Sequence, residues 1–212
     1  MWGYLVNDGH VVLPDGTQIY RKDGKLHREG EPAVITLTGL KEYWIDGRKH
    51  RKNGPAVTCG SFFEEWWEEG LIHRQNAPAI IYSNGDKRWY DKGKCSRING
   101  PAIEFANGTQ TWMYEGLVHR EGLPAIIGSD GSLSYYFMGK RHRIDGPAIE
   151  RADGSKEWYV NNKLHRKDGP AVERPDGSKE WRINGELHRE GGPAIIRGNG
   201  SEEWWVNGKR IK

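Results

Sequence analysis

Apolar and polar residues follow one another along this chain in a pattern that repeats every 23 residues. Each repeat carries Pro-Ala followed by Val or Ile, and an aromatic residue keeps a fixed phase relative to it. Because no insertion disturbs the period between Tyr20 and Trp204, the pattern predicts one tandem array. The aromatic row comprises Tyr20, Tyr43, Trp66, Trp89, Trp112, Tyr135, Trp158, Trp181 and Trp204, and the prolines are Pro32, Pro55, Pro78, Pro101, Pro124, Pro147, Pro170 and Pro193.

Two turn signals lie eight residues apart in a repeat and divide it into strands, as at 176–177 and 184–185. Asp-Gly and Asn-Gly accept positive φ at both central residues, so we expect type I′ hairpin turns. The six residues between two turns, such as 155–160, alternate, with Trp158 and Val160 on one face and Glu157 on the other. The remainder, such as 163–173, is expected to be a long strand bent at Gly-Pro, because proline cannot donate to a strand ladder.

These elements predict an all-β fold, namely an elongated single-domain antiparallel array of β-hairpins in meander or solenoid-like order. Each 23-residue repeat contributes two strands. No segment has the apolar period of a helix. We expect a single repeat domain over 1–212, in which 1–19 form a divergent N-terminal cap, 20–203 form eight repeats and 204–212 form a C-terminal half repeat.

Segments that combine an aromatic residue, a turn and a returning basic strand resemble a known family. Residues 158–166 read Trp-Tyr-Val-Asn-Asn-Lys-Leu-His-Arg, and residues 204–209 read Trp-Trp-Val-Asn-Gly-Lys. They resemble the MORN-variant, or MORN-like, β-hairpin repeats, which have the same repeat length, and the likeness covers nearly the whole chain. The resemblance implies a hairpin scaffold for protein contacts, and in some members for acidic lipids. It also implies toxin–antitoxin or immunity contexts, in which an inhibitor role is expected.

Composition narrows the class of protein. The 212 residues are 35% hydrophobic and 11% aromatic, with a mean hydropathy of −0.84. So many aromatic residues argue against disorder, and no apolar run approaches the length of a transmembrane helix. Residues 1–8 lack the basic and apolar regions of a secretory signal, and two cysteines without a CxxC pair favour a reduced, cytoplasmic location. The net charge of +3 is too balanced to indicate a nucleic-acid partner.

A His-Arg pair follows the second turn in nearly every repeat. A multi-His metal site is not expected, because equivalent residues lie about 10 Å apart whereas zinc ligands converge to about 2.0–2.3 Å. We therefore predict neither a metal nor a cofactor. Recurrence in every repeat favours a structural role, with His hydrogen-bonded in a turn and Arg bound to loop carbonyls or to carboxylates. The carboxylates considered are Glu42, Glu65, Glu157, Glu180 and Glu203.

The alternative hypothesis is that these Arg and His side chains face solvent beside the aromatic row. Arg binds phosphates through its forked guanidinium, and aromatic side chains stack on bases. A phosphorylated small molecule, such as a nucleotide or a cyclic oligonucleotide, would then bind between repeats. The residues of this ligand-binding hypothesis are Arg97, Arg120, Arg143, Arg166, His119, His142 and His165.

The aromatic row is expected to form the core, and the residue after it to lie on the opposite face. That second row is rich in Trp and Tyr, which are enriched at protein interfaces; a second thin apolar layer is the alternative. In the third repeat Phe62 stands where other repeats have the turn glycine, so either Phe62 contacts a partner or Gly60 and Ser61 form the turn. The predicted partner-binding residues are Phe62, Phe63, Trp67, Trp44, Tyr90, Tyr136, Tyr159 and Trp205.

Catalytic signatures such as GxSxG and HExxH are absent from the sequence. The residues therefore predict a non-enzymatic repeat scaffold that binds a partner protein through an aromatic-rich sheet face. Sequestration of a phosphorylated ligand is the second hypothesis.

The fourth repeat departs from the others, because Cys95-Ser96 replaces the usual apolar-His pair.

Overall fold

The computed structural model describes residues 8–212, which form 35 short β-strands and no helix. The predicted all-β class is confirmed, and this range contains no helix that could span a membrane. The chain divides into two compact units, residues 1–106 and 107–212, which we describe separately. Residues 1–7, which belong to the predicted N-terminal cap and to the segment considered for a secretory signal, lie outside the described residues.

The first unit is built on an antiparallel meander of short strands, which we call its ladder. Each inner strand pairs with the ladder strand on either side, so that Val57 faces Glu42 in one neighbour and Glu65 in the other. Two ladder strands per repeat agree with the predicted meander. The strands are Gly9–Val12, Gln18–Lys22, Val34–Ile35, Leu40–Glu42, Val57–Cys59, Phe63–Glu65, Ile80–Tyr82, Lys87–Arg88 and Ile103–Glu104.

The second unit has a ladder of the same kind. Lys156 faces Glu150 in one neighbouring strand and Glu173 in the other, so opposite charges meet across this face of the sheet. On the other face, Glu157 lies between Ile149 and Val172. The strands are Gln110–Thr111, Ile126–Ile127, Leu133–Ser134, Ile149–Glu150, Lys156–Glu157, Val172–Glu173, Lys179–Glu180, Ile195–Ile196 and Glu202–Glu203.

Each repeat adds a smaller hairpin beside the ladder, which we call the outer hairpin. Each of the two predicted strands of a repeat runs from the ladder into the outer hairpin. It is divided into two shorter strands at the point where its backbone stops pairing with the ladder and starts pairing within the hairpin. At Trp158 the N–H donates to the carbonyl of Ala171 in the ladder segment at 2.8 Å, and the carbonyl accepts from the N–H of His165 at 2.9 Å.

The outer hairpins of the first unit are the end of Gln18–Lys22 with Lys25–Leu26, Trp44–Ile45 with Arg48–Lys49, Trp67–Glu68 with Leu71–Ile72, and Tyr90–Asp91 with Lys94–Cys95. Those of the second unit are Met113–Tyr114 with Leu117–Val118, Tyr136–Phe137 with Lys140–Arg141, Tyr159–Val160 with Lys163–Leu164, Arg182–Ile183 with Glu186–Leu187, and Trp205–Val206 with Lys209–Arg210.

The two turns of a repeat differ in backbone conformation. In the outer hairpin both central residues have positive φ, as at Asn184 (52°) and Gly185 (93°), which is the predicted type I′ turn. In most ladder turns only the glycine does, as at Gly154 (88°). The type I′ prediction is therefore wrong for these turns, which match a type I turn followed by a left-handed glycine. The physical reason is an Asx turn: Asp153 accepts the N–H of Ser155 at 2.8 Å, which also lowers the pKa of Asp153.

Alanine forms the innermost layer of both units, because the alanine of every Pro-Ala pair has no exposed surface. Ala171 donates its N–H to the carbonyl of Glu180 at 2.7 Å and accepts the N–H of Trp158 at 2.8 Å, so three chain segments meet at its backbone. A small side chain suits that close approach. The aromatic row is half-buried except for Trp89, so its rings cover the core rather than form it, contrary to the expectation. The alanines are Ala33, Ala56, Ala79, Ala102, Ala125, Ala148, Ala171 and Ala194.

We predict that Ala171→Leu destabilises the second unit by about 1–3 kcal/mol, because extra methylene groups in a packed site force backbone shifts. Urea denaturation measures the change. Ala152→Leu is the matched control, since Ala152 is exposed in a ladder turn whose equivalent residue in another repeat is Leu37. Equal stability of the two variants would contradict a core centred on alanine.

Candidate functional site

Each Arg of the His-Arg row lies over the aromatic residue of its own repeat. The distance from Cζ to the ring centroid is 4.0 Å for Arg166 over Trp158, and Nη1 of the same guanidinium donates to the carbonyl of Pro170 at 3.2 Å. The cation–π contact and the charged hydrogen bond together hold the loop that leads back to the ladder. The equivalent pairs are Arg28 with Tyr20, Arg51 with Tyr43, Arg74 with Trp66, Arg97 with Trp89, Arg120 with Trp112, Arg143 with Tyr135 and Arg189 with Trp181.

The carboxylates that pair with this Arg row are not the predicted ones. Arg166 contacts Glu173 at 3.0 Å, whereas Glu157 pairs with Arg151 at 2.6 Å. Strand alternation explains the correction, because Glu173 and Glu157 point to opposite faces of the ladder. The other predicted carboxylates also bind elsewhere: Glu42 contacts Lys49, Glu65 contacts Trp67, Glu180 contacts Arg174 and Arg182, and Glu203 contacts Arg197.

The histidines connect each outer hairpin to the next. Nδ1 of His165 accepts the backbone N–H of the turn residue Asn184 at 3.1 Å. The same bond joins His27 to Asp46, His50 to Glu69, His73 to Lys92, His119 to Met138, His142 to Asn161 and His188 to Asn207.

The second aromatic row, predicted to contact a partner, is half-buried and its polar atoms are already bonded. Nε1 of Trp67 donates to Glu65 at 2.8 Å, and Lys49 lies 5.1 Å from the Trp67 ring and 5.4 Å from the Trp44 ring. In both units, therefore, the side chains of this row are held by hydrogen bonds to carboxylates and by contacts with Lys or Arg side chains. The other bonds are Trp44 to Glu42, Tyr159 to Glu157, Trp205 to Glu203, and Arg141 to the Tyr136 hydroxyl.

The fourth repeat holds a buried thiol. Cys95 faces Tyr90 across the outer hairpin, and burial raises the pKa of Cys95 to about 11, although nearby Arg88 acts in the opposite direction. Burial also raises the pKa of Tyr90. Cys59 is half-buried, and neither cysteine forms a disulfide. A protonated, buried thiol of this kind is a packing group rather than a nucleophile.

The third repeat exposes its unusual phenylalanine. The N–H of Phe62 closes the turn on the carbonyl of Cys59 at 2.8 Å, as the N–H of Gly39 does on Thr36 one repeat earlier, and the ladder register is the same, so the alternative of a register shift is wrong. The positive φ of this turn lies at Gly60 (51°). Phe62 nevertheless remains 67% exposed. The structure does not place it with the other predicted aromatic residues: Phe63 is half-buried, and its ring lies 6.4 Å from that of Tyr82.

A neighbouring ladder turn of the first unit also exposes an apolar side chain, Leu37, which is 81% exposed and lies against Gly16 of the preceding turn. The turns that contain Leu13, Leu37 and Phe62 lie at the same edge of the ladder, because they close alternate connections of one meander. We call these three residues the turn-tip row. Sequence reasoning missed Leu37, although its replacement of a small or polar residue at that repeat position was visible.

Shallow grooves run between neighbouring repeats. One groove of about 420 Å³ is lined by Arg28, Tyr43, His50 and Arg51, and its equivalent in the second unit, of about 450 Å³, by Arg166, Trp181, His188 and Arg189. These are the residue types of the phosphorylated-ligand hypothesis. Their donors and ring faces, however, already bind proline carbonyls, turn N–H groups and guanidinium groups. In residues 8–212 no three His, Cys, Asp or Glu side chains converge as metal ligands would.

Compared with known proteins, the chain matches no protein-family model and no curated protein sequence.

We predict that Arg166→Ala lowers the free energy of unfolding by about 1–3 kcal/mol, because it removes a cation–π contact and a charged hydrogen bond to a carbonyl. Arg151→Ala is the control: the Arg151 side chain is 45% exposed against 23% for Arg166, and we expect a loss of about 0–1 kcal/mol. Urea denaturation distinguishes the two. If Arg166→Ala melts like the unmodified protein, the structural role of the row is refuted.

We predict that Cys95 resists alkylation by iodoacetamide in the folded protein at pH 8, because its pKa of about 11 leaves almost no thiolate there. Labelling accelerates as the pH rises toward 11 or when urea unfolds the chain. Mass spectrometry of peptides measures both cysteines, with half-buried Cys59 as the internal comparison. Rapid labelling of Cys95 at pH 8 in the folded state would contradict this assignment.

Proposed function

We propose that this protein is a non-enzymatic scaffold that binds a partner protein through the turn-tip row of its first unit. The observation that carries the proposal is Phe62, a large aromatic side chain that is 67% exposed at a turn where other repeats have glycine. Two hydrogen bonds fix its backbone, from its own N–H to the carbonyl of Cys59 and from the N–H of Ser83 to its carbonyl, each at 2.8 Å. A fixed backbone lowers the loss of conformational freedom on binding.

The fold does not require an apolar residue at these turns. Equivalent turns in the second unit contain Ser129, Ala152, Pro175 and Gly198 in place of Leu37, so none carries a large aliphatic side chain there, and glycine in place of Phe62. Exposed large apolar side chains that cluster on a monomer are characteristic of interaction sites. Leu13, Leu37 and Phe62 therefore serve a contact outside the chain, with Phe62, the largest of the three, as the anchor.

The Arg row, which recurs in every repeat, and the His row, which is interrupted once by Ser96, both make contacts within the fold, which is why the proposal rests on the turn-tip row. The Arg row binds rings and proline carbonyls, and the His row binds turn N–H groups. The second aromatic row lies on a sheet face that is half-buried and internally bonded, so it supports the anchor rather than replacing it. The MORN-like resemblance, in which hairpin scaffolds serve protein contacts, agrees with this proposal and extends it to an inhibitor or immunity-type role.

We predict that the double variant Leu37→Ala and Phe62→Ala weakens partner binding at least tenfold, because truncating an anchor residue costs about 2 kcal/mol or more. The partner is captured from the source cell extract with the unmodified protein, identified by mass spectrometry, purified, and titrated by calorimetry. Folding should be preserved, since Ala106 and Ala152 occupy the Leu37 position in other repeats.

Ile144→Ala is the control for this experiment, because Ile144 is a highly exposed apolar residue of the second unit outside the turn-tip row. We expect it to leave the affinity unchanged. An unchanged Kd in the double variant, with melting preserved, would reject the turn-tip row as the binding surface.

A further inference from the structure

The outer hairpins of the second unit carry a continuous apolar stripe that sequence reasoning did not assign. It consists of the second residue of each hairpin, namely Tyr114, Phe137, Val160, Ile183 and Val206. Tyr114 is 54% exposed and Phe137 51% exposed, while the other three are half-buried. Leu117 and Met138 extend the exposed surface beside the first two. We call the five residues the outer stripe.

The fold tolerates charge at these positions, so the outer stripe is not a folding requirement. In the first unit the equivalent residues are Lys22, Ile45, Glu68 and Asp91, so three of the four are charged. Apolar side chains at all five hairpins of the second unit therefore need another explanation. Its exposed part, Tyr114 and Phe137 with Leu117 and Met138 beside them, is an apolar surface of the kind that marks interaction sites.

The outer stripe is rigid because neighbouring hairpins are joined through their backbones. The N–H of Gly139 donates to Val118 at 2.8 Å, so the hairpin with Phe137 is bonded to the one with Tyr114. The His119 ring fills the space between them, 6.0 Å from Tyr114 and 5.0 Å from Phe137. With two strands per repeat, successive stripe residues are spaced by about 10 Å.

Exposed lysines flank the stripe on the returning strands. Lys140 faces Phe137, Lys163 faces Val160 and Lys209 faces Val206. Within residues 8–212, none of these three lysines has a carboxylate within ion-pair distance, and Glu186 is the one acid among the equivalent residues of the unit. An unpaired row of cations beside an apolar stripe complements a partner that presents carboxylates beside apolar side chains.

We infer that the outer stripe is a second binding surface, which takes an acidic, apolar-rich segment of a protein partner. Apolar side chains of the segment cover Tyr114 and Phe137, while its Asp and Glu residues pair with Lys140 and Lys163. This surface lies in the second unit and does not depend on the turn-tip row. The two surfaces can therefore be tested separately.

The test is a selection from a random-peptide display library on the purified full chain. We expect the enriched peptides to combine Asp or Glu with Leu, Ile, Phe or Trp, and a synthetic copy to bind with an affinity that falls as NaCl concentration rises. Phe137→Asp and the pair Lys140→Glu with Lys163→Glu should each weaken that peptide about tenfold or more. Both changes introduce residues that the same repeat positions already carry, Asp91 and Glu186, so folding is preserved.

Two controls define the surface. Phe62→Ala should leave peptide affinity unchanged, and so should Lys52→Glu with Lys167→Glu, which alters the charge equally at exposed lysines that do not belong to the outer hairpins. The inference is overturned if enriched peptides lack acidic residues, if none is enriched, or if Phe137→Asp binds them as well as the unmodified chain. Binding to phosphatidylserine vesicles that is lost in the double lysine variant, without peptide enrichment, would assign the surface to a membrane instead.

Discussion

The contact on which the rest of the structure depends is the guanidinium of the Arg row over its aromatic ring. In the repeat of Arg166, this one side chain lies over the Trp158 ring, donates a hydrogen bond to the carbonyl of Pro170 and pairs with the carboxylate of Glu173. The loop from outer hairpin to ladder has few apolar atoms of its own, so an aromatic ring, an Arg fork and a carbonyl replace a hydrophobic core there. Ala171 can then occupy the position where the chain segments meet.

Neighbouring repeats are joined by hydrogen bonds between backbone groups and by one hydrogen bond to a histidine ring. The Arg166 N–H donates to the carbonyl of Arg182 in the next repeat at 3.1 Å, and His165 receives the turn N–H of Asn184. These bonds act between neighbours only, so stability is expected to be a sum of repeat and nearest-neighbour contributions. A repeat can therefore vary its exposed residues freely as long as it keeps the Arg, the aromatic residue and the Pro-Ala pair.

Most of the fold could be predicted from the sequence, because a 23-residue period with paired turn signals allows few arrangements. What could not be predicted was which groups meet across the sheet. Strand alternation decides between Glu157 and Glu173 as the partner of Arg166, and that depends on where the strand is divided at Trp158. The aromatic row was expected to form the core because the chain has few other large apolar residues. The pattern of hydrophobic residues cannot show that Arg guanidinium groups cover these rings. The candidate site was found in part, through Phe62, while Leu37, Tyr114 and Phe137 were missed.

The site was predicted only in part because, in a repeat protein, the residues that the fold requires and the residues that can bind a partner occupy different positions of the repeat. Residues that recur in all or nearly all repeats, such as the Arg and His rows, make contacts within the fold, so their prominence in the sequence says little about ligands. Positions that accept Glu68 in one repeat and Tyr114 in another are free of that constraint. An exposed apolar residue at such a position costs solubility, and we propose that a contact with a partner offsets that cost. Binding surfaces are therefore best sought where repeats differ and side chains stay exposed, as at the turn-tip row and the outer stripe.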